Sequence, residues 1–341
     1  MPRSPPFATR LKTHLTSWAP DNGIGVEHLE VRGGRRSLVL THEHRARNLF
    51  DLHWWRHIEG KEHRWARALN SSQCFAVNLF APLVDDEVLA ARVTRMLLGA
   101  QWVPDGAAVR WALEYTPEDG PAWLGERGQP TQVDACAQVV LRDGRRRGWL
   151  VEVKLAEAGF GGCRGALPPH RQGPNPDVSR CLNGAAVIAA PDAQCWLVQS
   201  EGRSYWQFVL DERGSFRLDA LPAGEACPFR HGLYQLMRNQ VLADVLVARG
   251  GFDSACMSAC VHPENEVADL LPAPVLGQHS AEAAFARITT PGAFTRLDPA
   301  AVLAAVVAAE PRWQAWGRWL CAKYLLQPRR VPVAGNRAAP S

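Results

Sequence analysis

The chain has 341 residues, of which 47% are hydrophobic and 21% are charged, a composition typical of a folded globular protein. It offers no run of about 20 apolar residues, which argues against a membrane-spanning helix, and we expect a cytoplasmic protein. The net charge of +4 is too small to establish a nucleic-acid partner by itself. The nine cysteines, an odd number set mostly among apolar residues, favour reduced core thiols over disulfide bonds.

The N-terminal part, residues 1–59, is predicted to contain a loosely ordered leader over residues 1–23 and a basic, aromatic-rich helical segment. Between Glu43 and Leu69, histidine, arginine and tryptophan alternate in a pattern that suggests one or two helices. Such a stripe can bind phosphate, or it can be a solvated helix face anchored by tryptophans. Both interpretations stay open, because Glu59 and Glu62 interrupt the positive charge.

Two helices are predicted to precede the first strand. Ser71 and Ser72 cap a helix that continues to Phe80 and ends at Pro82, and the acidic run 85–87 caps a helix that continues to Leu98. Alternating and apolar runs then predict five strands and a long helix, at 109–115, 133–141, 148–155, 195–200, 205–210 and about 229–249.

This order of elements is typical of an α/β fold with a mixed central sheet flanked by helices. We expect the core domain to span residues 60–250 and to be followed by a helical C-terminal extension over residues 251–326. Residues 327–341, rich in proline, alanine and arginine, are predicted to be a disordered tail.

The segment from Val133 to Lys154 is predicted to be a β-hairpin that turns at residues 142–144. We expect a three-residue loop with Gly144 in the left-handed conformation. In the register that this loop imposes, the numbers of paired residues sum to 286, so Asp134 lies opposite Glu152. The Cβ atoms of such a pair are about 5 Å apart. The same register gives one apolar face, through the pairs Val133 with Val153, Ala135 with Val151 and Ala137 with Trp149. A two-residue turn would put the two acids on opposite faces and split this apolar row, so we reject it.

Glu152 and Lys154 are two residues apart on one strand and therefore share a face. Two carboxylates, from Asp134 and Glu152, are suited to hold a hard divalent cation such as Mg²⁺ or Mn²⁺. The cation polarises a phosphate oxygen and acidifies a water, and the lysine stabilises the additional negative charge of the transition state. The pattern predicts a site that cleaves phosphodiester bonds, although an exposed strand can also carry Glu and Lys by chance.

The motif Asp134…Glu152-Val153-Lys154, on a hairpin after two helices, resembles that of the PD-(D/E)xK or restriction-endonuclease-like nuclease superfamily. The segment 70–250 is similar to a bacterial branch of it, through the sequences SSQ and NLF upstream and CPF and GLYQLMRN downstream. The resemblance implies a mixed central sheet, divalent-metal-dependent hydrolysis of nucleic acid with DNA favoured over RNA, Asp134 and Glu152 as metal ligands, and Lys154 as the catalytic cation.

The chain departs from this family pattern in two ways. Residue 133 is valine where the family has proline, and the upstream helix, which often supplies a further carboxylate, has no acid between residues 64 and 84. Glu62, Glu87 and Glu114 are possible substitutes that the sequence does not separate. The missing acid leaves a second function open, a catalytically inactive protein that keeps the fold and acts as a nucleic-acid-binding or complex-assembly module.

The long helix after the hairpin is predicted to carry polar residues on one face. His231, Gln235, Arg238 and Asn239 fall on this face, and Gln235 and Arg238 are candidates to contact the substrate. Recombination and repair exonucleases of the superfamily have Gln-x-x-x-Tyr in such a helix. In this chain the fourth residue after Gln235 is Asn239, which stands where those proteins have the tyrosine. A solvated helix face explains the same pattern.

The cysteines raise a third possibility, a cysteine-ligated cluster, because some relatives hold iron–sulfur clusters. No Cys-x-x-Cys motif occurs, so the spacing of Cys163, Cys181, Cys195 and Cys227 argues against such a cluster. Cys256 and Cys260 with His262 are an equally weak zinc candidate. The oligomeric state stays open.

Overall fold

The computed structural model describes residues 5–167, 174–219, 221 and 224–327. The predicted tail lies outside these residues except for its first position. The strands are β1 (Leu29–Arg32), β2 (Arg35–Leu40), β3 (Ala108–Tyr115), β4 (Val133–Val140), β5 (Arg146–Lys154), β6 (Ser254–Val261), β7 (Leu270–Val275), β8 (Gln278–Ser280) and β9 (Phe294–Leu297). The α-helices are α1 (Phe7–Asp21), α2 (Ser72–Asp85), α3 (Glu87–Leu98), α4 (Gly120–Trp123), α5 (Gly184–Ala189), α6 (Pro191–Gln194), α7 (Trp196–Glu201), α8 (Tyr205–Val209), α9 (Tyr234–Ala248), α10 (Ala281–Arg287), α11 (Pro299–Ala309) and α12 (Gln314–Tyr324).

A five-stranded mixed sheet lies at the centre of the fold, with the strand order β3-β4-β5-β6-β9. The first three strands form an antiparallel meander, and β6 and β9 join the edge of β5 in parallel. The predicted fold class, an α/β protein with a mixed central sheet flanked by helices, is therefore confirmed. None of the described helices combines the length and apolar character needed to cross a membrane.

Each face of the sheet is covered by its own hydrophobic cluster. On one face, apolar residues of β3, β4 and β5, with Trp149 as the largest on β5, pack with α1, α2, α3, α11 and α12. On the other face, Cys136, Leu150 and Met257 pack with α8, α9 and α10. Because both faces are covered, the middle strands are apolar on both sides, except at one end where the polar side chains converge.

The N-terminal part is more ordered than its sequence suggested. Residues predicted as a loose leader form α1, which buries Phe7, Leu11 and Leu15 at intervals of four residues along one face. The β1–β2 hairpin follows it, and the basic segment then forms two short 3₁₀ turns, Arg45–Asn48 and Leu52–His57, where one or two helices were expected. Aromatic burial, with Trp54 and Trp55 below the surface, holds this segment in place.

Helix α2 continues through Pro82, although the sequence predicted that it ends there. A proline inside a helix leaves the carbonyl four residues earlier without its donor. Here that carbonyl belongs to Asn78, and the indole Nε1 of Trp316 donates to it at 2.7 Å. The long-range contact supplies the hydrogen bond that the helix lacks.

Two of the predicted strands are wrong. The stretch 195–200 lies mostly in helix α7, and the stretch 205–210 lies mostly in helix α8. Four of the five residues of α8 are buried, so the apolar pattern could not distinguish strand from helix. The segment 251–326 contains the helices α10, α11 and α12, but it also contributes β6 and β9 to the central sheet. The domain boundary drawn at residue 250 therefore cuts through this sheet.

Candidate active site

The β4–β5 hairpin has the register that its turn predicted. Ala135 pairs with Val151 and Ala137 with Trp149, and Gly144 has a φ of 84°, in the left-handed region. The amide of Leu141 donates to the carbonyl of Arg145 at 2.8 Å, which closes a three-residue loop over residues 142–144. Asp134 and Glu152 therefore lie side by side on neighbouring strands, on the sheet face that α9 covers.

One detail of the predicted apolar row is wrong. Val133 packs in the cluster on the α9 side of the sheet, whereas Val153 packs in the opposite cluster. The regular ladder between β4 and β5 ends at the pair of Ala135 and Val151, and beyond it Val153 N–H donates to Asp134 Oδ2 at 2.6 Å. The carboxylate takes the place of a strand carbonyl, and this bond fixes its position at the end of β4.

Glu152 is 2% exposed and is held from three directions. Lys154 Nζ and Gln235 Nε2 donate to its Oε1 atom at 2.8 and 2.5 Å, and Asn239 Nδ2 donates to Oε2 at 2.7 Å. Donors from both β5 and α9 thus fix the carboxylate in one orientation. Such surroundings are typical of a functional side chain whose direction matters.

Lys154 is a buried cation in this group, with 8% of its surface exposed. Burial alone lowers the pKa of a lysine, but the carboxylates of Glu152, Glu157 and Asp134 outweigh it and raise the pKa of Lys154 to about 12. The ammonium therefore stays charged at neutral pH. It can stabilise negative charge, and it is unsuited to accept a proton.

The pKa of Asp134 is shifted in the opposite sense to that of an ordinary paired acid. Burial raises it well above its usual value, and the negative charges of Glu152 and Glu114 raise it further. Lys154 and the amide of Val153 lower it, but they do not compensate fully. The carboxyl groups of Asp134, Glu152 and Glu114 thus repel one another in the cleft, and a bound cation would relieve this repulsion.

Glu114 is the third acid of the cleft. The pairs Leu113 with Ala135 and Tyr115 with Val133 flank it, so it lies across from Asp134 on β3. Three neighbouring strands thus each present one carboxylate at the same end of the sheet. Sequence reasoning named Glu114 only as one of three possible substitutes, because the long connection from β3 to β4 carries no turn motif that fixes their register.

The surroundings of Glu114 are unusual for a strand residue. It is 1% exposed and has a φ of 50°, a left-handed conformation that is costly for a residue with a side chain. Gln73 of α2 donates to its Oε1 atom at 2.7 Å. Within the described residues its Oε2 atom is buried without a hydrogen-bond partner, and His63 Nε2 lies 3.5 Å away. Helix α2 therefore supplies an amide, and β3 supplies the carboxylate that the helix lacks.

The two candidate substrate-contacting residues on α9 both line the cleft. Gln235 donates to Glu152, as described above, whereas the guanidinium of Arg238 contacts a further buried acid, Glu126. Its Nε donates to Thr131 Oγ1 at 3.0 Å, and its Nη2 donates to Glu126 Oε1 at 3.3 Å. Nothing near residue 126 resembles a motif, so Glu126 could not be singled out from the sequence.

The donor set fits a hard divalent cation. Carboxylate oxygens are the ligands that Mg²⁺ and Mn²⁺ prefer, and Asp134, Glu152 and Glu114 line one cleft together with the backbone of Val153. In the described part of the chain, no three acidic, histidine or cysteine side chains are already arranged as a complete ligand group. Glu152 is held by its amide and ammonium donors in this arrangement, so binding a cation requires these side chains to adjust.

We expect the substitution Glu114→Gln to reduce any cleavage activity by about 10- to 100-fold, the range seen when a supporting group of a metal site is lost. The amide keeps the size of the side chain but removes its negative charge. Rates at several Mn²⁺ concentrations would show whether the loss lies in metal affinity. The matched control is Glu118→Gln, an exposed residue four positions away. Equal rates for wild type and Glu114→Gln would show that Glu114 has only a structural role.

Comparison with known proteins adds one finding. Neither the curated proteins nor the solved structures give a significant match. A family model described as "Restriction Endonuclease associating with ARP" matches residues 28–325, which include the central sheet and the cleft. The chain therefore belongs to this restriction-endonuclease-like family, REase-ARP.

Proposed function

We propose that the protein is a divalent-metal-dependent nuclease that hydrolyses phosphodiester bonds in nucleic acid. The observation that carries this proposal is the placement of Asp134 and Glu152 on neighbouring strands, with Lys154 on the same face of one buried polar cleft. Membership in a restriction-endonuclease-like family supports a nuclease, and it favours DNA over RNA as the substrate.

Asp134 and Glu152 would hold the Mg²⁺ or Mn²⁺ ion, and Glu114 lies close enough in the same cleft to assist. When bound, the ion supplies a polarised phosphate oxygen and a more acidic water. Lys154 contributes a permanent positive charge, which stabilises the phosphorane-like transition state as negative charge builds on its oxygens.

Helix α9 contributes orientation. Gln235 and Asn239 fix the Glu152 carboxylate, and with a metal bound their amide groups would be available to contact a water or a phosphate oxygen. Glu126 and Thr131 anchor Arg238, whose side chain lines the same cleft as Glu152 and Lys154. We propose Gln235 and Arg238 as substrate-binding residues on this basis.

The second candidate is a catalytically inactive member that serves in complex assembly, because the family description names an association with ARP. The complete set of Asp134, Glu152 and Lys154, with the nearby Glu114, favours the enzyme. A protein that had lost catalysis would have no need for a buried, electrostatically unfavourable acidic cleft.

The test is a cleavage assay of the purified full-length chain on single-stranded and double-stranded DNA and on RNA, with Mg²⁺, Mn²⁺ or EDTA. We expect cleavage of DNA with either metal and none with EDTA. The variant Glu152→Ala, purified in parallel, controls for contaminating nucleases. Cleavage that survives both EDTA and this substitution, or no cleavage of any substrate with either metal, would count against the proposal.

A further inference from the structure

Four cysteines that are distant in sequence line one cavity beside α9. They are Cys163, Cys181, Cys195 and Cys227, and they belong to the long segment between β5 and α9. All four are free thiols. The successive separations of 18, 14 and 32 residues contain no metal-binding motif, which is why the sequence argued against a cluster.

Backbone hydrogen bonds hold three of the four cysteines in place. Cys163 N–H donates to the carbonyl of Arg230 at 3.3 Å, and Cys227 N–H donates to the carbonyl of Cys181 at 3.0 Å. The amide of Arg230 in turn donates to Cys227 at 3.1 Å. Three separate stretches of the chain are thus tied together at the positions of their cysteines.

The segment that contains these cysteines has little regular structure of its own. Its described α-helices, α5 to α8, have four to six residues each, and no strand occurs in its described part. Part of the segment packs in the hydrophobic cluster on the α9 side of the sheet, and a metal ion can further restrain an irregular segment of this length. Cysteines can also act as small apolar residues, but that role does not require four of them at one cavity.

One N–H group of Arg230, at the same cavity, has no hydrogen-bond partner among the described residues. It is the Nε–H group, whose nitrogen is buried. Arg230 lies within electrostatic range of the thiols of Cys181 and Cys227. Four thiolates around a metal carry net negative charge, and a guanidinium beside them would both neutralise that charge and complete its own hydrogen bonds.

We propose that Cys163, Cys181, Cys195 and Cys227 bind a metal centre through four thiolates, either a zinc ion or an iron–sulfur cluster. Both centres use the same ligand chemistry, and each thiol releases its proton to solvent as its sulfur binds. Around one zinc ion at about 2.3 Å, the four sulfurs would lie about 3.8 Å from one another. Among the described residues no three metal-binding side chains already lie close enough to hold one ion, so zinc binding would require the thiols to move closer together, whereas a cluster tolerates wider spacing.

The centre would also brace the candidate active site. Tyr234 and Met237 of α9 line the same cavity, and the next residue after Tyr234 is Gln235, which holds Glu152. Loss of the metal would therefore loosen the start of α9 as well as the segment before it. The proposal concerns a structural centre and does not depend on whether the cleft cleaves nucleic acid.

The first test measures metal in the full-length protein, purified both in air and anaerobically. Stoichiometric zinc, or iron with acid-labile sulfide and a visible charge-transfer absorption, would support the proposal and identify the centre. If the isolated protein is metal-free, Zn²⁺ and, separately, Fe²⁺ with sulfide are added back under reducing conditions. No stoichiometric uptake of either would overturn the proposal.

The second test locates the ligands. The variants Cys181→Ser and Cys227→Ser are expected to lose the metal, whereas Cys321→Ser, a half-buried cysteine on α12, should retain it. Because a ligand variant can fail to fold, wild-type protein is also alkylated with and without metal and then mapped by mass spectrometry. Metal should protect the four cavity cysteines and leave Cys321 equally reactive. Equal alkylation of all sites, or full metal content in both ligand variants, contradicts the assignment.

Discussion

Replacing Lys154 with methionine is expected to lower the cleavage rate by about 10³-fold, the effect of removing one group that stabilises transition-state charge. Metal affinity should stay the same or increase, because the ammonium that opposes a cation among Asp134, Glu152 and Glu157 is gone. Methionine keeps most of the length of the side chain and removes the ammonium that lies over the ring of Phe160. Cleavage rates and Mn²⁺ titration by calorimetry measure the two effects separately.

Lys12→Met is the matched control, since Lys12 is an exposed lysine on α1. It should change neither cleavage nor metal binding. If Lys154→Met loses metal binding and thermal stability together with activity, the lysine serves the fold and not the chemistry. Unchanged cleavage would remove it from the mechanism altogether.

The substitution Asp134→Asn is expected to abolish cleavage and, at neutral pH without metal, to raise the melting temperature by about 1–3 °C. The asparagine oxygen can still accept the Val153 amide, while the repulsion from Glu152 and Glu114 and the cost of burying a charge both disappear. A function that needs a metal ligand is thus expected to reduce the stability of the metal-free protein.

The sign of the pH dependence follows from the raised pKa of Asp134. The folded protein holds this proton more tightly than the unfolded chain, so the carboxyl destabilises the fold increasingly as the pH rises above its ordinary value of 3.8. The stability advantage of Asp134→Asn should therefore be small at acidic pH and should grow toward the raised pKa. Melting curves of both proteins between pH 4 and about pH 8 measure it.

Added Mn²⁺ provides a second comparison for Asp134→Asn. Because a ligand stabilises only the state that binds it, the metal should raise the melting temperature of wild type and have little effect on the variant. Asp119→Asn, at an exposed position whose side chain makes no capping bond, should behave as wild type. An equal metal response in wild type and Asp134→Asn would exclude Asp134 as a ligand.

The β4–β5 hairpin could be predicted because its determinants are local. Gly144 permits the left-handed turn position, and the alternation of apolar residues on both strands selects the same register. Once the register is known, counting residues along the two strands shows that Asp134 and Glu152 lie next to each other. The position of Lys154 needs only the two-residue period of a strand.

The position of Glu114 could not be obtained in this way. Seventeen intervening residues, 116–132, separate β3 from β4, and the pairing of the two strands depends on how this connection folds. The left-handed backbone of Glu114 is stabilised by long-range donors to its carbonyl, Gln132 Nε2 at 3.1 Å and Lys61 Nζ at 3.3 Å. These contacts exist only in the complete fold, so no local pattern predicts them.

The cysteine cavity and strand β6 were missed for related reasons. The four cysteines come together because stretches that are far apart in the chain pack against one another. The spacing of cysteines along the sequence does not reveal such long-range packing. The sequence of β6, SACMSACV, is small and apolar without a clear period, so it is compatible with either a helix or a buried strand. It forms a strand because it pairs in parallel with β5 in the complete fold.

The place of β6 in the sheet also has a consequence for synthesis on the ribosome. Arg147 of β5 pairs with Ser254 of β6, a separation of 107 residues. In the described structure no other strand pairs with this edge of β5. At a translation rate of about 5–20 residues per second, β6 is synthesised roughly 5–20 s after β5, and this edge stays unpaired until then. During that interval the nascent hairpin presents an unpaired strand edge, to which another chain could add a strand until β6 is made.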